Sequence, residues 1–275
     1  MRTNKVKLCI GGFLAVVFAL VYSIPLYVML VNAFKPYADI VQKPLSLPLH
    51  FTINAFVTAY RESDIARLYL NTAVITVSSL AVLVLFSSMA AYILSRRRGL
   101  VYSIVYLFLL LGLMVPVQVI LIPSIQTLKF FRLLHTFGGL ILFNAAVYMG
   151  MSFFLYVEFF KTLPQSIEES AIVDGASRFT IYSRIMLPLL KPCTATVLIF
   201  NGMWIWNDFL PPLYILNEKT GSTITTGIYR AIGTKMTNWD TVFAVSLMAT
   251  VPVLLLYILL QDQFVKGLAA GAIKG

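Results

Sequence analysis

The sequence predicts an all-α integral membrane protein with six transmembrane helices, and its composition and hydropathy pattern are the basis of that prediction. The 275-residue chain is 59% hydrophobic and 12% charged, with a mean hydropathy of +0.87, whereas a soluble domain carries about a quarter charged residues. Apolar segments of roughly 20 residues recur, each long enough to cross a bilayer core of about 30 Å. They are too long and too continuously apolar for strands, so we expect a helical bundle.

The apolar segments follow one another along the whole chain, which we treat as one transmembrane domain over residues 1–275. Before the first segment, Arg2, Lys5 and Lys7 resemble the start of a signal peptide, but the apolar stretch is too long and lacks a cleavage site. We therefore expect an uncleaved first span. The six predicted spans are 8–32, 69–94, 101–127, 137–159, 193–216 and 241–263.

Helix breakers interrupt several of these spans. Proline inside a span frees backbone carbonyls and bends the helix. Taken together, the breakers indicate bent helices around a path more than a simple membrane anchor. They are Pro25, Pro116, Pro123, Gly202 and the pair Pro211-Pro212.

The basic residues predict the orientation. The net charge is +10, and in a membrane protein Lys and Arg in short loops mark the cytoplasmic side. Because Arg96, Arg97 and Arg98 fill one tight connection, we place that loop, both termini and the loop after the fourth span in the cytoplasm. This explanation of the charge leaves no reason to expect nucleic-acid binding. Cys9 and Cys193 stand at the starts of spans and predict neither a disulfide nor a metal site.

The loop at 160–192 is polar between two apolar spans. We predict a short helix there, with Ser166 as its N-cap and Glu169 completing a capping box. Gly175 should end this helix with a positive φ, and Asp174 or Ser177 should cap a second helix. Residues 166–192, which we call the elbow, therefore form a helix, a glycine turn and another helix.

The second helix of the elbow should carry Phe179, Tyr182, Met186 and Leu189 on one face. The elbow could dock into a groove of another protein. It could also be an amphipathic connector that lies on lipid headgroups.

The elbow resembles the signature of bacterial ATP-binding-cassette importer permeases, the EAA motif. That signature is Glu-Ala-Ala, three residues, Gly, nine residues, Ile, one residue and Leu-Pro. This chain has Glu169-Ser170-Ala171, Gly175, Ile185 and Leu187-Pro188 at matching spacing, and Ser170 is the one departure. Residues 114–145, 206–216 and 264–275 also resemble the maltose-type second permease of the sugar-importer branch.

The resemblance implies a type I permease in the bacterial inner membrane, forming half of a translocation pore. Its implied partners are a second, homologous permease, two ATPase subunits and an extracytoplasmic binding protein that delivers a sugar. The elbow would be the coupling helix that seats in the ATPase, although Glu169 could equally serve its own helix as a cap. The implied coupling residues are Glu169, Ser170, Ala171, Asp174, Gly175, Ala176, Phe179 and Pro188.

The chain is not expected to be an enzyme, and no cofactor or metal is expected on it. It contains no Gly-x4-Gly-Lys-Ser/Thr phosphate loop, so ATP and Mg²⁺ should be bound by the partner ATPase. The tail, residues 264–275, would contact the ATPase subunits.

Polar and aromatic residues inside the spans mark a candidate substrate path. Asp208 is the clearest, beside Trp204, Trp206 and Asn207; Gln118, Asn144 and Tyr148 are weaker candidates. The same residues could instead be an interfacial tryptophan belt and a helix cap. Since the six predicted spans contain no Lys or Arg, we expect a neutral mono- or oligosaccharide, with a polyol or a glycerophosphate-type compound as the alternative.

Two other classes of function compete with an importer subunit. An ion-coupled secondary transporter should show carboxylates in several spans and inverted repeats, but only Asp208 lies within a predicted span away from its ends. A membrane-embedded enzyme needs a cluster of reactive side chains, and His50 and His135 are isolated in the sequence.

Overall fold

A computed structural model describes residues 2–217, 219–234 and 239–272, and these residues form helices and loops without a strand. The side chains of residues 2–10, 62–63, 231, 233–234, 256–257 and 259–272 are outside that description. The predictions for Cys9 and for the tail, residues 264–275, therefore lie outside the part of the chain whose side chains are described.

Thirteen helices follow one another in the described residues, and several are short loop helices. In α9 the central residues Ile181–Met186 form a π-helix. The helices are α1 (Arg2–Asn32), α2 (Tyr37–Gln42), α3 (Asn54–Ser63), α4 (Ile65–Arg96), α5 (Leu100–Leu111), α6 (Val117–Phe130), α7 (Phe137–Thr162), α8 (Ser166–Val173), α9 (Arg178–Leu189), α10 (Lys191–Asn207), α11 (Leu210–Ile215), α12 (Ile224–Thr234) and α13 (Trp239–Ala272).

The membrane character of the chain is confirmed, and the prediction of six spans is matched in part. Three helices are long and apolar enough to cross a bilayer by themselves, Gly11–Asn32, α4 and α7. Two bent pairs, α5 with α6 and α9 with α10, would raise the number to five. A shorter apolar helix, Trp239–Leu255, overlaps the predicted sixth span.

The predicted third span is not one straight helix. α5 passes into a single 3₁₀ turn over Gly112–Met114, and the chain is extended at Val115. α6 then begins after Pro116 at an angle of 110° to the preceding helix. Pro116 has no N–H to donate to the previous turn, which explains the break. Pro123 lies inside α6 without ending it.

The described residues cluster into two compact units. The first contains the chain up to Arg67 together with Gly227–Pro252, and the second contains Leu68–Thr226 and the residues from Val253 onward. In the first unit, the Lys35 side chain is fully buried and its Nζ donates to the carbonyl oxygen of Lys43 at 2.9 Å. Burial lowers the pKa of Lys35, and the nearby Asp39 carboxylate opposes that shift.

Polar side chains join the long helices of the second unit. Asn144 of α7 donates to Ser79 of α4 at 3.3 Å. Asn201 of α10 donates to Ser152 of α7 at 3.0 Å. Hydrogen bonds between buried side chains of neighbouring helices hold helices in a bilayer together, so α4, α7 and α10 form a connected frame.

Candidate functional site

A cavity of about 460 Å³ opens beside the C-terminal end of α10 in the second unit. Phe200, Met203, Trp204 and Asn207 line it from one face of that helix, because residues spaced three and four apart lie on one side of a helix. Tyr148 of α7 and Asp208 complete the lining.

Asp208 stands at a break in the predicted fifth span. α10 ends at Asn207, Asp208 has extended backbone angles (φ −65°, ψ 139°), and α11 resumes at Leu210. Pro211 and Pro212 have no N–H with which to continue α10. The span predicted for 193–216 is therefore two helices, and the break puts a carboxylate at the cavity.

Three hydrogen bonds hold Asp208 in place. Its Oδ1 accepts from the backbone N–H of Phe209 at 3.0 Å, and its Oδ2 accepts from the Tyr148 hydroxyl at 3.4 Å. The Thr225 hydroxyl donates to the Asp208 carbonyl oxygen at 2.6 Å. The half-buried carboxylate is thus oriented by its neighbours.

The cavity wall combines aromatic surface with polar atoms. The Tyr148 and Trp204 rings meet edge to face, with centroids 6.2 Å apart and planes at 73°. Aromatic faces beside a carboxylate and an amide can pack on an apolar ring surface and accept hydrogen bonds from hydroxyl groups. Among the lining residues there is one carboxylate and no Lys or Arg.

The structure brings together four of the seven predicted path residues, Tyr148, Trp204, Asn207 and Asp208. Gln118 is an exposed residue of α6, and Asn144 is buried in its bond to Ser79. Trp206 also does not line the cavity, and its buried Nε1 has no hydrogen-bond partner.

Sequence analysis missed Phe200 and Met203 as lining residues. Both are ordinary apolar residues of a span and carry no polar signal of their own. Their helical spacing from Trp204 and Asn207 was the available signal.

The first helix of the elbow, α8, begins differently from the prediction. Ser166 is its first residue, Gln165 occupies the N-cap position, and Gln165 makes no side-chain capping bond. The predicted capping box is therefore wrong. Glu169 is exposed, whereas Glu168 turns inward and forms an ion pair with Arg96.

The turn of the elbow is a Schellman motif, as the predicted Gly175 stop requires. Gly175 has φ +78°, its N–H donates to Ile172 O at 3.0 Å, and the Ala176 N–H donates to Ala171 O at 3.0 Å. This pattern satisfies the last carbonyls of α8. Asp174 is the C-cap of α8, so it does not cap the second helix.

The second helix of the elbow, α9, begins at the predicted cap. The Ser177 hydroxyl accepts from the Thr180 N–H at 3.2 Å. Tyr182 and Met186 are buried, but Phe179 is 71% exposed and Leu189 is also exposed. The predicted single apolar face is therefore wrong. The wider turn of the π-helix shifts Leu189, which follows it, around the axis, and Phe179, which precedes it, projects outward.

Most of the predicted coupling residues are exposed to solvent. Ala171 is the exception, since it packs into the core of the second unit, and Ala176 is half-buried. The exposed ones are Glu169, Ser170, Asp174, Gly175, Phe179 and Pro188.

The described residues contain no group of three or more His, Cys, Asp or Glu side chains that could hold a metal ion.

Comparison with known proteins gives consistent matches over the chain. Residues 83–269 match the family model described as "Binding-protein-dependent transport system inner membrane component". The "Probable starch degradation products transport system permease protein AmyC" of Thermoanaerobacterium thermosulfurigenes is 34% identical over 274 residues, covering 100% of both chains. The "Melibiose/raffinose/stachyose import permease protein MelC" of Bacillus subtilis (strain 168) is 32% identical over 277 residues, again covering 100% of both.

A solved structure shows the same fold. It is a chain from the crystal structure of a bacterial ABC transporter involved in the import of the acidic polysaccharide alginate, with a TM-score of 0.87. The match covers 96% of this chain and 98% of that chain at 20% identity.

We predict that Gly175→Val disrupts the turn of the elbow while Gly175→Asn is tolerated much better. A Cβ at this position meets no atom within 4 Å, so the penalty comes from the positive φ. It is about 1–2 kcal/mol for an ordinary residue and smaller for asparagine. Hydrogen exchange by mass spectrometry should show faster exchange over residues 171–177 in the valine variant. Equal protection in both variants would contradict the prediction.

Proposed function

The chain belongs to the family of binding-protein-dependent transport system inner membrane components, and we propose that it is a permease subunit of an ATP-driven sugar importer. It is a multi-pass membrane protein, and the assembly of such a transporter requires further subunits. We assign it one half of a translocation path, with a second, homologous permease as the other half. Two ATPase subunits and an extracytoplasmic binding protein complete the proposed complex.

The proposed coupling role is supported mainly by the exposed residues of the elbow. Glu169 is exposed and makes no cap for its own helix, and the apolar Phe179 ring projects from the next helix with 71% of its surface exposed. An exposed apolar side chain beside a charged one is stabilised when it is buried in a groove of another protein. In this proposal the elbow faces the cytoplasm and docks on the ATPase, which binds ATP and Mg²⁺.

The proposed substrate path includes the cavity at the end of α10. Trp204 and Tyr148 supply aromatic surface, and Asp208 supplies an oriented hydrogen-bond acceptor. The absence of Lys and Arg from the lining supports a neutral sugar, because a buried anion requires a cationic partner. The names of two relatives, which refer to starch degradation products and to melibiose, raffinose and stachyose, support the same substrate class.

We predict that Glu169→Lys uncouples the transporter. A reversed charge at a docking contact costs several kcal/mol, so uptake should fall about tenfold or more, while Glu169→Ala should give an intermediate loss. Co-purification of the ATPase with the tagged permease should weaken in the same order. Both substitutions are compatible with α8 because Glu169 does not cap it.

Arg98→Gln is the control, since Arg98 is an exposed charged residue outside the elbow. Normal uptake by Glu169→Lys in a normally assembled complex would contradict the docking proposal.

We predict that Trp204→Ala lowers sugar uptake about five- to tenfold through the loss of aromatic contact. Trp239→Ala is the control, because Trp239 is another exposed tryptophan but does not line the cavity. Uptake should be measured in proteoliposomes with the cognate binding protein and labelled melibiose, raffinose, stachyose or maltooligosaccharides. Equal loss in both variants, or competition by alginate oligomers but by none of the neutral sugars, would contradict the assignment of the cavity to a neutral sugar.

A further inference from the structure

One face of α4 carries three polar side chains near the C-terminal end of that helix. Ser88, Tyr92 and Arg96 are spaced four residues apart, so they lie one above another on the helix surface. All three make contacts with the elbow, and Arg96 also contacts Leu163, three residues before it. We call Ser88, Tyr92 and Arg96 the α4 stripe.

The C-terminal part of the α4 stripe, Tyr92 and Arg96, binds the first helix of the elbow. Arg96 Nε donates to Glu168 Oε1 at 2.6 Å, and the Tyr92 hydroxyl donates to Glu168 Oε2 at 2.9 Å. Arg96 Nη2 also donates to the carbonyl oxygen of Leu163 at 3.2 Å. Both oxygens of the Glu168 carboxylate are therefore bound by α4, across 72 and 76 residues of sequence.

This ion pair is shielded from water. The side chains of Arg96 and Glu168 are only 14% and 13% exposed. A pair of this kind strongly resists separation, because the removal of one partner leaves the other charge buried and unpaired. Glu168 is thus fixed to α4, while the adjacent Glu169 points outward from the same helix.

The N-terminal part of the α4 stripe, Ser88 and Tyr92, contacts the second helix of the elbow. Ser88 Oγ and the Tyr182 hydroxyl are 2.8 Å apart in a buried hydrogen bond. The Tyr92 ring packs on the Tyr182 ring with centroids 5.6 Å apart. Tyr92 therefore contacts both helices of the elbow.

The three consecutive arginines after the apolar part of α4, Arg96 to Arg98, differ in their contacts. Arg97 donates to the Tyr102 hydroxyl at 3.0 Å, within its own connection. Arg98 is exposed. Only Arg96 binds the elbow, so its role is distinct from the contribution of this loop to membrane orientation.

We infer that the α4 stripe and Glu168 are positioning residues that make the elbow and α4 move as one rigid body. In an importer whose ATPase docks on the elbow, a movement of the ATPase is then transmitted to the transmembrane helices through α4. The inference rests on the proposed docking function, and it adds residues that lie outside the Glu169–Pro188 signature.

The first test measures the distance between spin labels in the assembled complex. Labels are placed at Val173 on α8 and Val77 on α4, which are 86% and 66% exposed, in a chain with Cys9 and Cys193 replaced by serine. Double electron–electron resonance is recorded without nucleotide and after trapping with ATP and vanadate. The labelled complex must retain ATP hydrolysis.

We expect one distance distribution that is unchanged by trapping in the otherwise native chain. In Arg96→Gln and Glu168→Gln, trapping should shift or broaden that distribution while ATP hydrolysis persists. The exchanged pair Arg96→Glu with Glu168→Arg should restore part of the narrow distribution, and Arg98→Gln should behave like the unaltered chain.

A shift in the native-chain distance on trapping would overturn the rigid-body inference, even if the single variants do not assemble. A permease complex that never retains an ATPase would instead refute the proposed docking. The two failures are distinguished by whether the ATPase co-purifies.

Discussion

The largely shielded ion pair between Arg96 and Glu168 is the interaction on which the arrangement of the polar elbow depends. A carboxylate with so little exposure is stable only with a charged partner and further hydrogen bonds, and α4 supplies both from Arg96 and Tyr92. With Glu168 held inward, the next residue on the helix, Glu169, is directed outward. The hydrophobic core around Phe160, Ile181 and Met186 then packs beside this anchored segment.

The same constraint, that polar backbone groups need partners, explains where the apolar helices break. Pro116, Pro211 and Pro212 have no N–H donor, and the preceding helix ends before each of these places. The second break has a functional consequence, because it leaves Asp208 beside Tyr148 and Trp204 at the rim of a cavity. Within the second unit, α7 is hydrogen-bonded to Asn201 and to Asp208 at the cavity, and its Phe160 packs with Ile181 and Met186 of the elbow.

Local patterns in the sequence predicted the helical membrane fold, the Gly175 stop, the Ser177 cap and four residues of the cavity. The failures have particular causes. A capping box was predicted from Ser166 and Glu169, but the helix begins with Gln165 as its N-cap. The regular 3.6-residue period failed where α9 becomes a π-helix. Arg96 was interpreted only as an orientation signal, since pairing across 72 residues leaves no local pattern.

In the proposed importer, the exposed residues of the elbow form the contact surface for an ATPase. A photoreactive benzoylphenylalanine in place of Phe179, irradiated in the membrane with the whole transporter expressed, tests it most directly. We expect a covalent product that contains this chain and one ATPase subunit, and no such product with the same probe at Phe108, an exposed residue of α5. Crosslinking of position 179 to lipid alone, while the ATPase still co-purifies with the permease, would contradict it.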